Sequence, residues 1–142
     1  MSTLELHIDV GVPADTAWET LHQVETYPRF VDGVRGARTE AGGRAHLEVE
    51  ASGGAREVEA EVTDRRGERV MEWLTTGTPE LTGSFTVQPI DRDHTRIQAR
   101  VEYDPDTVRD IFGGPKGFAQ TNAIERLVRG DLDHFKEYVE RG

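Results

Sequence analysis

Hydrophobic and polar residues alternate with a period of two over most of this chain. In residues 3–10 (TLELHIDV), four apolar side chains fall on one face and the polar ones on the other, as in a half-buried strand. Six further segments are predicted to be strands: residues 34–40, 45–51, 56–63, 69–76, 81–88 and 96–103. Because short loops join these segments, antiparallel neighbours are expected. The pattern predicts a seven-stranded antiparallel sheet.

Residues 117–139 have the period of a helix instead. Their apolar residues recur at steps of three and four, which is the spacing of one helical stripe: Ile124, Val128, Leu132, Phe135 and Val139. We expect the sheet to pack on this stripe. Gly130 lies inside the helix and costs about 1 kcal/mol relative to alanine, so a bend or a close backbone approach is expected there.

Two short helical segments are predicted between the first two strands. Pro13 suits a first helical turn and precedes an amphipathic segment that reaches Val24. In residues 25–34 (ETYPRFVDGV), the tyrosine before the proline disfavours a continuous helix, so we expect a short helical turn that closes one end of the core. Residues 104–117 contain three glycines and connect the last strand to the long helix, as a lid, its hinge or a plain connector.

Composition and charge limit the partners. We expect the 142 residues to form a single domain, residues 1–142. With 17 basic and 27 acidic residues, the net charge of −10 repels phosphate backbones, so no nucleic acid partner is expected. The sequence has no cysteine and therefore no thiol chemistry. It also has no apolar run of signal-peptide or membrane-spanning kind, so we expect a cytoplasmic protein without stable membrane insertion.

One predicted hairpin concentrates glutamates on its polar face. A two-residue turn at Gly53-Gly54 pairs Ser52 with Ala55 and sets glutamates opposite each other: Glu50 with Glu57, and Glu48 with Glu59. Like charges directly across two strands are unfavourable. We expect solvent or basic residues of a neighbouring strand to relieve the repulsion. A cation site is the alternative, which the lack of a tight oxygen-ligand spacing disfavours.

Small residues on the apolar face of the sheet predict a cavity. A single helix cannot fill the concave side of a curled sheet, and several inward positions are small: Ala51, Ala60, Gly83 and Ala99. Aromatic residues would supply the walls. A concave apolar chamber with few polar groups is typical of a small-molecule site. The alternative is that large neighbouring side chains fill the space.

The order of elements, one strand, two short helices, six strands and a long C-terminal helix, resembles the START-like helix-grip (SRPBCC) superfamily. It is most similar to the small bacterial polyketide cyclase/dehydrase and coenzyme-Q-binding-like members. The matching segments are residues 12–18, 25–34, 72–90, 95–105 and 131–142. Gln23 departs from the acidic residue that such proteins usually carry shortly before the Tyr-Pro pair.

This resemblance implies an α+β fold in which a curved seven-stranded antiparallel sheet wraps around the C-terminal helix. It also implies a cavity for a hydrophobic, often polycyclic or isoprenoid, small molecule. Because members range from aromatase/cyclases to passive lipid carriers, the fold does not decide between them. Biosynthetic enzymes are candidate partners, and neither the ligand nor the oligomeric state is indicated.

Candidate site residues follow from strand parity and from aromatic character. The candidate catalytic residues are Arg56, Arg69 and Tyr103, which could polarise a ketone or transfer a proton. The candidate ligand-binding residues are Tyr27, Phe30, Leu47, Trp73, Phe85, Tyr103, Phe112, Phe118 and Asn122. No hydrolase, metal or phosphate-loop motif is present, so no metal or cofactor is expected. Four histidines are expected at the surface: His7, His46, His94 and His134.

Two functions remain open. The chain could be a cyclase/dehydrase that acts on a poly-β-ketone, or a carrier of a lipid or quinone. A buried arginine, histidine or tyrosine facing the cavity would favour the enzyme, and an all-apolar lining would favour the carrier. A chaperone or interaction module is a third reading, which the lack of a spare exposed apolar stripe disfavours.

Overall fold

The computed structural model describes residues 2–31, 34–51, 54–76, 81–104, 106 and 120–141. Seven strands form one antiparallel sheet in the order β1-β7-β6-β5-β4-β3-β2. Their bounds are β1 Ser2–Val10, β2 Val34–Glu40, β3 Arg44–Ala51, β4 Gly54–Arg65, β5 Val70–Thr76, β6 Leu81–Pro89 and β7 Thr95–Tyr103. The predicted seven-stranded antiparallel sheet is confirmed, with β4 longer than expected.

Helices follow the first and the last strand. Helix α1 (Ala14–His22) and a 3₁₀ helix (Val24–Arg29) come after β1, and helix α2 (Gln120–Glu140) comes after β7. A second 3₁₀ turn, Arg66–Glu68, joins β4 to β5. The predicted long helix is confirmed from residue 120 onward. The connector from 107 to 119, including the expected lid or hinge, lies outside the described residues.

The register of the β3–β4 hairpin differs from the predicted one. Ala51 pairs with Gly54, so Glu50 lies opposite Ala55 and Glu48 lies opposite Glu57. The expected pairing of Ser52 with Ala55 is wrong. The cross-strand pairs that follow from it on both faces of the hairpin are therefore wrong as well. Shifting the pairing by two residues leaves every side chain on its predicted face of the sheet, whereas a shift of one residue would move it to the other face. Alternation alone therefore could not distinguish the two registers.

The face of the sheet that α1 and α2 cover, called here the inner face, carries the core. Near α1 and the end of α2, a cluster of buried apolar residues includes Val10, Ala17, Leu21, Phe30, Met71, Val87, Ile97, Phe135 and Val139. A second cluster joins β1 and β7 to the middle of α2: Leu4, Leu6, Ala99, Tyr103 and Leu132. Both clusters draw on the predicted helical stripe, which accounts for the attachment of α2.

Helix α2 also binds the free edge of β1, the first strand in the sheet order. Its charged side chains bind backbone groups of alternate residues: Arg129 Nη1 donates to His7 O (2.8 Å), Lys136 Nζ donates to Asp9 O (3.0 Å), and Glu140 Oε2 accepts the Gly11 N–H (2.7 Å). An edge strand with unpaired backbone groups is a template for unwanted pairing. The helix therefore protects the edge as well as the core.

Gly130 of α2 has open space where a side chain would begin. No atom outside its own helix neighbourhood lies within 4 Å of a Cβ built at this position. The expected close backbone approach at Gly130 is therefore wrong. Within the described residues, no helix combines the length and the apolar character needed to cross a membrane.

Candidate functional site

Apolar residues of β4 to β7 form a continuous row across the inner face. Val62 pairs with Trp73, Trp73 pairs with Gly83, and Gly83 pairs with Val101. Each of these residues is half-buried. We call these four residues the apolar row. It lies beside the second core cluster, since Val101 packs against that cluster.

The Trp73 ring occupies the space that the missing side chain of Gly83 leaves. A Cβ at Gly83 would lie 2.4 Å from Trp73 Cζ2 and 2.4 Å from Arg100 O, closer than real contacts allow. The Phe85 ring follows, with its centroid 6.4 Å from that of Trp73. The expectation that Gly83 leaves cavity volume is wrong, because the indole fills it. Glycine instead lets the indole lie against the sheet.

Two buried side-chain donors on this face have no hydrogen-bond partner in the part of the chain that the structure describes: Trp73 Nε1 and Tyr103 Oη. Tyr103 is only 1% exposed. Tyr103 pairs with Leu81 of β6, two residues from Gly83, which pairs with Trp73 of β5. The single strand β6 therefore separates the strands that carry the two donors. Leaving a buried donor unpaired costs about 1–3 kcal/mol. Both atoms would therefore gain from an acceptor on a ligand.

A pocket of about 290 Å³ opens beside the apolar row. It shares Val62 with that row and Met71 with the core. The pocket lining is His22, Val24, Thr39, Glu40, Gly43, Arg44, Ala45, Val62, Asp64 and Met71. The pocket thus adds a more polar recess beside the apolar row, and its lining reaches the ends of β2 and β3.

His22 and Asp64 form the main polar contact of this pocket. His22 Nε2 lies 2.8 Å from Asp64 Oδ1, and its Nδ1 lies 2.8 Å from Trp18 O. Because a carbonyl can only accept, Nδ1 donates to it, and Nε2 is held by the carboxylate. Neither ring nitrogen is left for a ligand, so the pair ties the end of α1 to β4. The cation-favouring C-terminal end of α1 suits a histidine here.

The local sequence does not signal the pair, because 42 positions separate the two residues. The alternation along β4 gives one signal, because it places Asp64 on the same strand face as Val58, Ala60 and Val62. A carboxylate at an inward position of a strand needs a partner, and parity alone cannot identify it.

The structure places three of the predicted ligand-binding aromatic residues on the inner face: Trp73, Phe85 and Tyr103. Leu47 lies beside a small buried cluster formed by Val24, Ala45 and Ala60.

The other two described aromatic candidates are engaged in the core. Phe30 is 5% exposed and packs edge-on against Phe135, with ring centroids 5.2 Å apart. Tyr27 Oη donates to Leu21 O at 2.5 Å, and burial raises the pKa of Tyr27. These two side chains hold the 3₁₀ helix against the core.

The two candidate arginines lie away from the buried donors. Arg56 is exposed and sits opposite Val49 on β3. Arg69 lies just before β5 with a φ of 53°, in the left-handed region that few non-glycine residues adopt. Its Nη2 lies 2.8 Å from Asp15 Oδ1 on α1. Arg69 therefore links β5 to α1.

Phe112 and Phe118 lie outside the described residues, as does the side chain of Asn122, whose backbone belongs to α2. Of the four histidines expected at the surface, His7 and His94 are exposed and His134 is half-buried. His46 points outward as expected, yet it is only 9% exposed because its neighbours cover it.

Comparison with known proteins gives one family and one curated relative. The family described as polyketide cyclase / dehydrase and lipid transport matches residues 10–130. A 17.2 kDa protein from the melC2-rnhH intergenic region of Streptomyces lincolnensis, itself called uncharacterized, is 33% identical over 141 residues. The match covers 99% of this chain and 91% of the relative.

Solved structures share the fold at low sequence identity. The Zhui aromatase/cyclase from Streptomyces sp. R1128 superposes with a TM-score of 0.76 at 19% identity, covering 99% of this chain and 94% of that one. A START superfamily protein from Mycobacterium smegmatis gives 0.77 at 17%, with 98% and 97% covered. The di-domain ARO/CYC BexL gives 0.76 at 20%, and the match covers 99% of this chain and 47% of BexL. The resemblance to the helix-grip fold is confirmed.

Proposed function

Because this chain belongs to the polyketide cyclase/dehydrase and lipid transport family, we propose that it binds an aromatic or polycyclic small molecule that carries carbonyl oxygens. The ligand lies between the inner face of the sheet and α2. The observation that supports this choice is a pair of buried donors that find no partner among the described residues, Trp73 Nε1 and Tyr103 Oη. Carbonyl oxygens only accept hydrogen bonds, so they match this pair, whereas an all-hydrocarbon ligand would leave both donors unpaired.

In the cyclase/dehydrase form of the proposal, the ligand is a poly-β-ketone. A donated hydrogen bond from Tyr103 draws electron density from a ketone, which favours attack by a methylene carbon that lies between two other carbonyls of the same ligand. This carbon loses a proton to solvent and forms the new C–C bond, while the attacked ketone oxygen gains a proton and becomes a hydroxyl group. Val62, Val101 and Phe85 restrict the poly-β-ketone to folded conformations. This restriction lowers the entropic barrier to ring closure. Tyr103 is then the candidate acid. The partner enzymes are those that build and release such chains.

A carrier of lipids or quinones is the second candidate. It is favoured by the apolar row, whose side chains Val62, Trp73 and Val101 carry no titratable group. A quinone carbonyl matches the same two donors without any reaction. We also propose the cytoplasm as the compartment, because a net charge of −10 keeps a carrier of poorly soluble ligands in solution.

The ligand class is tested with two molecules of nearly equal shape, 1,4-naphthoquinone and naphthalene. The absence of cysteine removes the usual thiol reaction of the quinone. We expect the quinone to bind more tightly by about threefold to tenfold, as one net hydrogen bond provides. Titration is followed by calorimetry. Equal affinity for the two molecules would contradict the proposal.

The role of Tyr103 is tested with matched tyrosine variants. Tyr103→Phe should remove most of the preference for the quinone. Tyr27→Phe should keep it, because the Tyr27 hydroxyl already donates to Leu21 O. If Tyr103→Phe retains the full preference, Tyr103 does not contact the ligand.

Enzyme and carrier are separated by mass spectrometry on a synthetic poly-β-ketone thioester. A cyclase/dehydrase yields a product lighter by one water per aromatisation step, and Tyr103→Phe slows its formation. A carrier binds the same compound and leaves its mass unchanged.

A further inference from the structure

On the outer face of the sheet, opposite the proposed ligand site, three strands bring a histidine and two carboxylates together. Glu40 of β2, His46 of β3 and Glu59 of β4 each offer one ligand atom, and these atoms all lie within 4.8 Å of one another. His46 lies directly across from Glu59, and its Nδ1 contacts Glu59 Oε1. We call these three residues the outer-face cluster.

Carboxylates outnumber the single histidine in and around this cluster. Glu40 and Glu59 lie within hydrogen-bond reach of each other, and Glu57 Oε1 lies 3.8 Å from His46 Nε2. Three carboxylates therefore surround one imidazole. Carboxylate oxygens and an imidazole nitrogen placed this close together favour a bound cation.

We propose that Glu40, His46 and Glu59 bind one divalent transition-metal ion of the Zn²⁺ type. An imidazole nitrogen with two carboxylate oxygens is a ligand set that zinc accepts, whereas Ca²⁺ and Mg²⁺ prefer oxygen ligands alone. Ligands of one tetrahedral zinc lie roughly 3.3 Å apart, given bond lengths of about 2.0–2.2 Å. Glu40 is exposed and the Glu59 side chain is 46% exposed, so both can move the short distance required.

The surroundings of His46 resemble those of metal-ligating histidines. Such histidines usually present one ring nitrogen to the metal and donate the other N–H to a carboxylate, which fixes the ring orientation. Here Nδ1 faces Glu59, and Nε2 faces Glu57. His46 is also 9% exposed, so its ring is held in place before any ion arrives. Glu57 thereby becomes a positioning residue rather than a ligand.

The ion would hold together the β2 end of the sheet. Its three ligands come from three adjacent strands, including the edge strand β2, so the site exists only when these strands are paired. An ion that binds only the folded chain raises the melting temperature by mass action. The site lies on the opposite face from Trp73 and Tyr103, so the inference does not depend on the proposed ligand.

Equilibrium dialysis of the tag-free, chelator-treated protein against micromolar ZnCl₂ tests this inference. We expect one zinc per chain and a melting temperature that rises with zinc concentration, with no competition from millimolar Mg²⁺ or Ca²⁺. His46→Gln and Glu59→Gln should weaken binding at least tenfold. Glu57→Gln should weaken it less than either, through the ring orientation. His94→Gln is the control, since His94 is an exposed histidine paired with Asp91 on a turn.

Glu40→Gln keeps the test decisive if His46→Gln does not fold, because Glu40 is exposed and not part of the core. In the wild-type protein, substoichiometric Ni²⁺ should broaden the NMR signals of the His46 ring before those of the other histidines. The inference is overturned if zinc fails to bind at 100-fold excess, or if Glu40→Gln and Glu59→Gln bind zinc as tightly as the wild type.

Discussion

Glu140 Oε2 accepts the backbone N–H of Gly11 at 2.7 Å, although 129 positions separate the two residues in sequence. The same oxygen lies 2.6 Å from Lys136 Nζ one helical turn earlier. One carboxylate at the end of α2 thus binds both a lysine of its own helix and the chain as it leaves β1. The hydrogen bond from Lys136 is the main cause that lowers the pKa of Glu140, and the Gly11 N–H contributes next.

This contact predicts a specific pH dependence. A carboxyl group whose pKa falls on folding stabilises the protein above its ordinary pKa of 4.5 and loses this contribution as the pH falls through the folded value. Because Glu140 is exposed, Glu140→Gln should cost only about 0.5 kcal/mol at pH 7, and the difference from the wild type should shrink as the pH falls below 4.5. Urea unfolding at several pH values measures this. Glu137→Gln, at an exposed position of the same helix, is the control variant.

Two tyrosines should respond oppositely to loss of the hydroxyl. Tyr27→Phe should cost about 1 kcal/mol, because it leaves Leu21 O without its donor. Tyr103→Phe should leave the stability of the unliganded protein unchanged or raise it by up to about 1 kcal/mol, because it removes a buried hydroxyl that has no partner in the described part of the chain. Chemical denaturation without ligand gives both values. A loss at Tyr103 as large as that at Tyr27 would mean that its hydroxyl has a partner in the free protein.

Two glycines should also respond oppositely to alanine. Gly83→Ala should cost about 1–3 kcal/mol, because the new methyl group would lie 2.4 Å from both Arg100 O and the Trp73 ring. Gly130→Ala should stabilise by about 0.5–1 kcal/mol, because its helix position is open and alanine favours the helix. Urea unfolding measures both changes, and tryptophan fluorescence should shift only in the Gly83 variant.

The His22–Asp64 pair should show energetic coupling in a double-mutant cycle. Each partner is about three-quarters buried, with side-chain exposures of 26% and 21%. We expect His22→Gln and Asp64→Asn to be coupled by about 1 kcal/mol. The His94–Asp91 pair has the same 2.8 Å contact but is 58% and 59% exposed, so its coupling should be smaller. Equal coupling in both cycles would show that burial does not strengthen the His22 contact.

Strand parity predicted which side chains share the inner face, including Trp73, Phe85 and Tyr103, because alternation depends only on neighbouring residues. Strand parity could not predict which side chains occupy the space over each face of the sheet. The Trp73 ring over Gly83 requires the β5–β6 pairing, in which these two residues lie opposite each other. At Gly83, a small residue in a strand therefore did not indicate open volume.

The outer-face cluster was missed because the predicted register of the β3–β4 hairpin was wrong. In the predicted hairpin, Glu48 lies opposite Glu59, and the result is only a repulsive pair. In the structure, Glu59 lies opposite His46, with Glu40 on the next strand. Both registers keep the same faces, so the amino-acid pattern contains no signal that separates them.

Strand β1 pairs with β7, which is synthesised much later than β1. Val10 pairs with Thr95, and Ser2 with Tyr103, so the first strand has no partner until most of the chain exists. At about 5–20 residues per second, that delay is on the order of ten seconds. During it, the apolar side of Leu4, Leu6 and Ile8 and both backbone edges of the strand are open to other nascent chains. The helix that shields this strand, α2, follows β7 in the chain, so the period of greatest aggregation risk lasts until α2 has been synthesised.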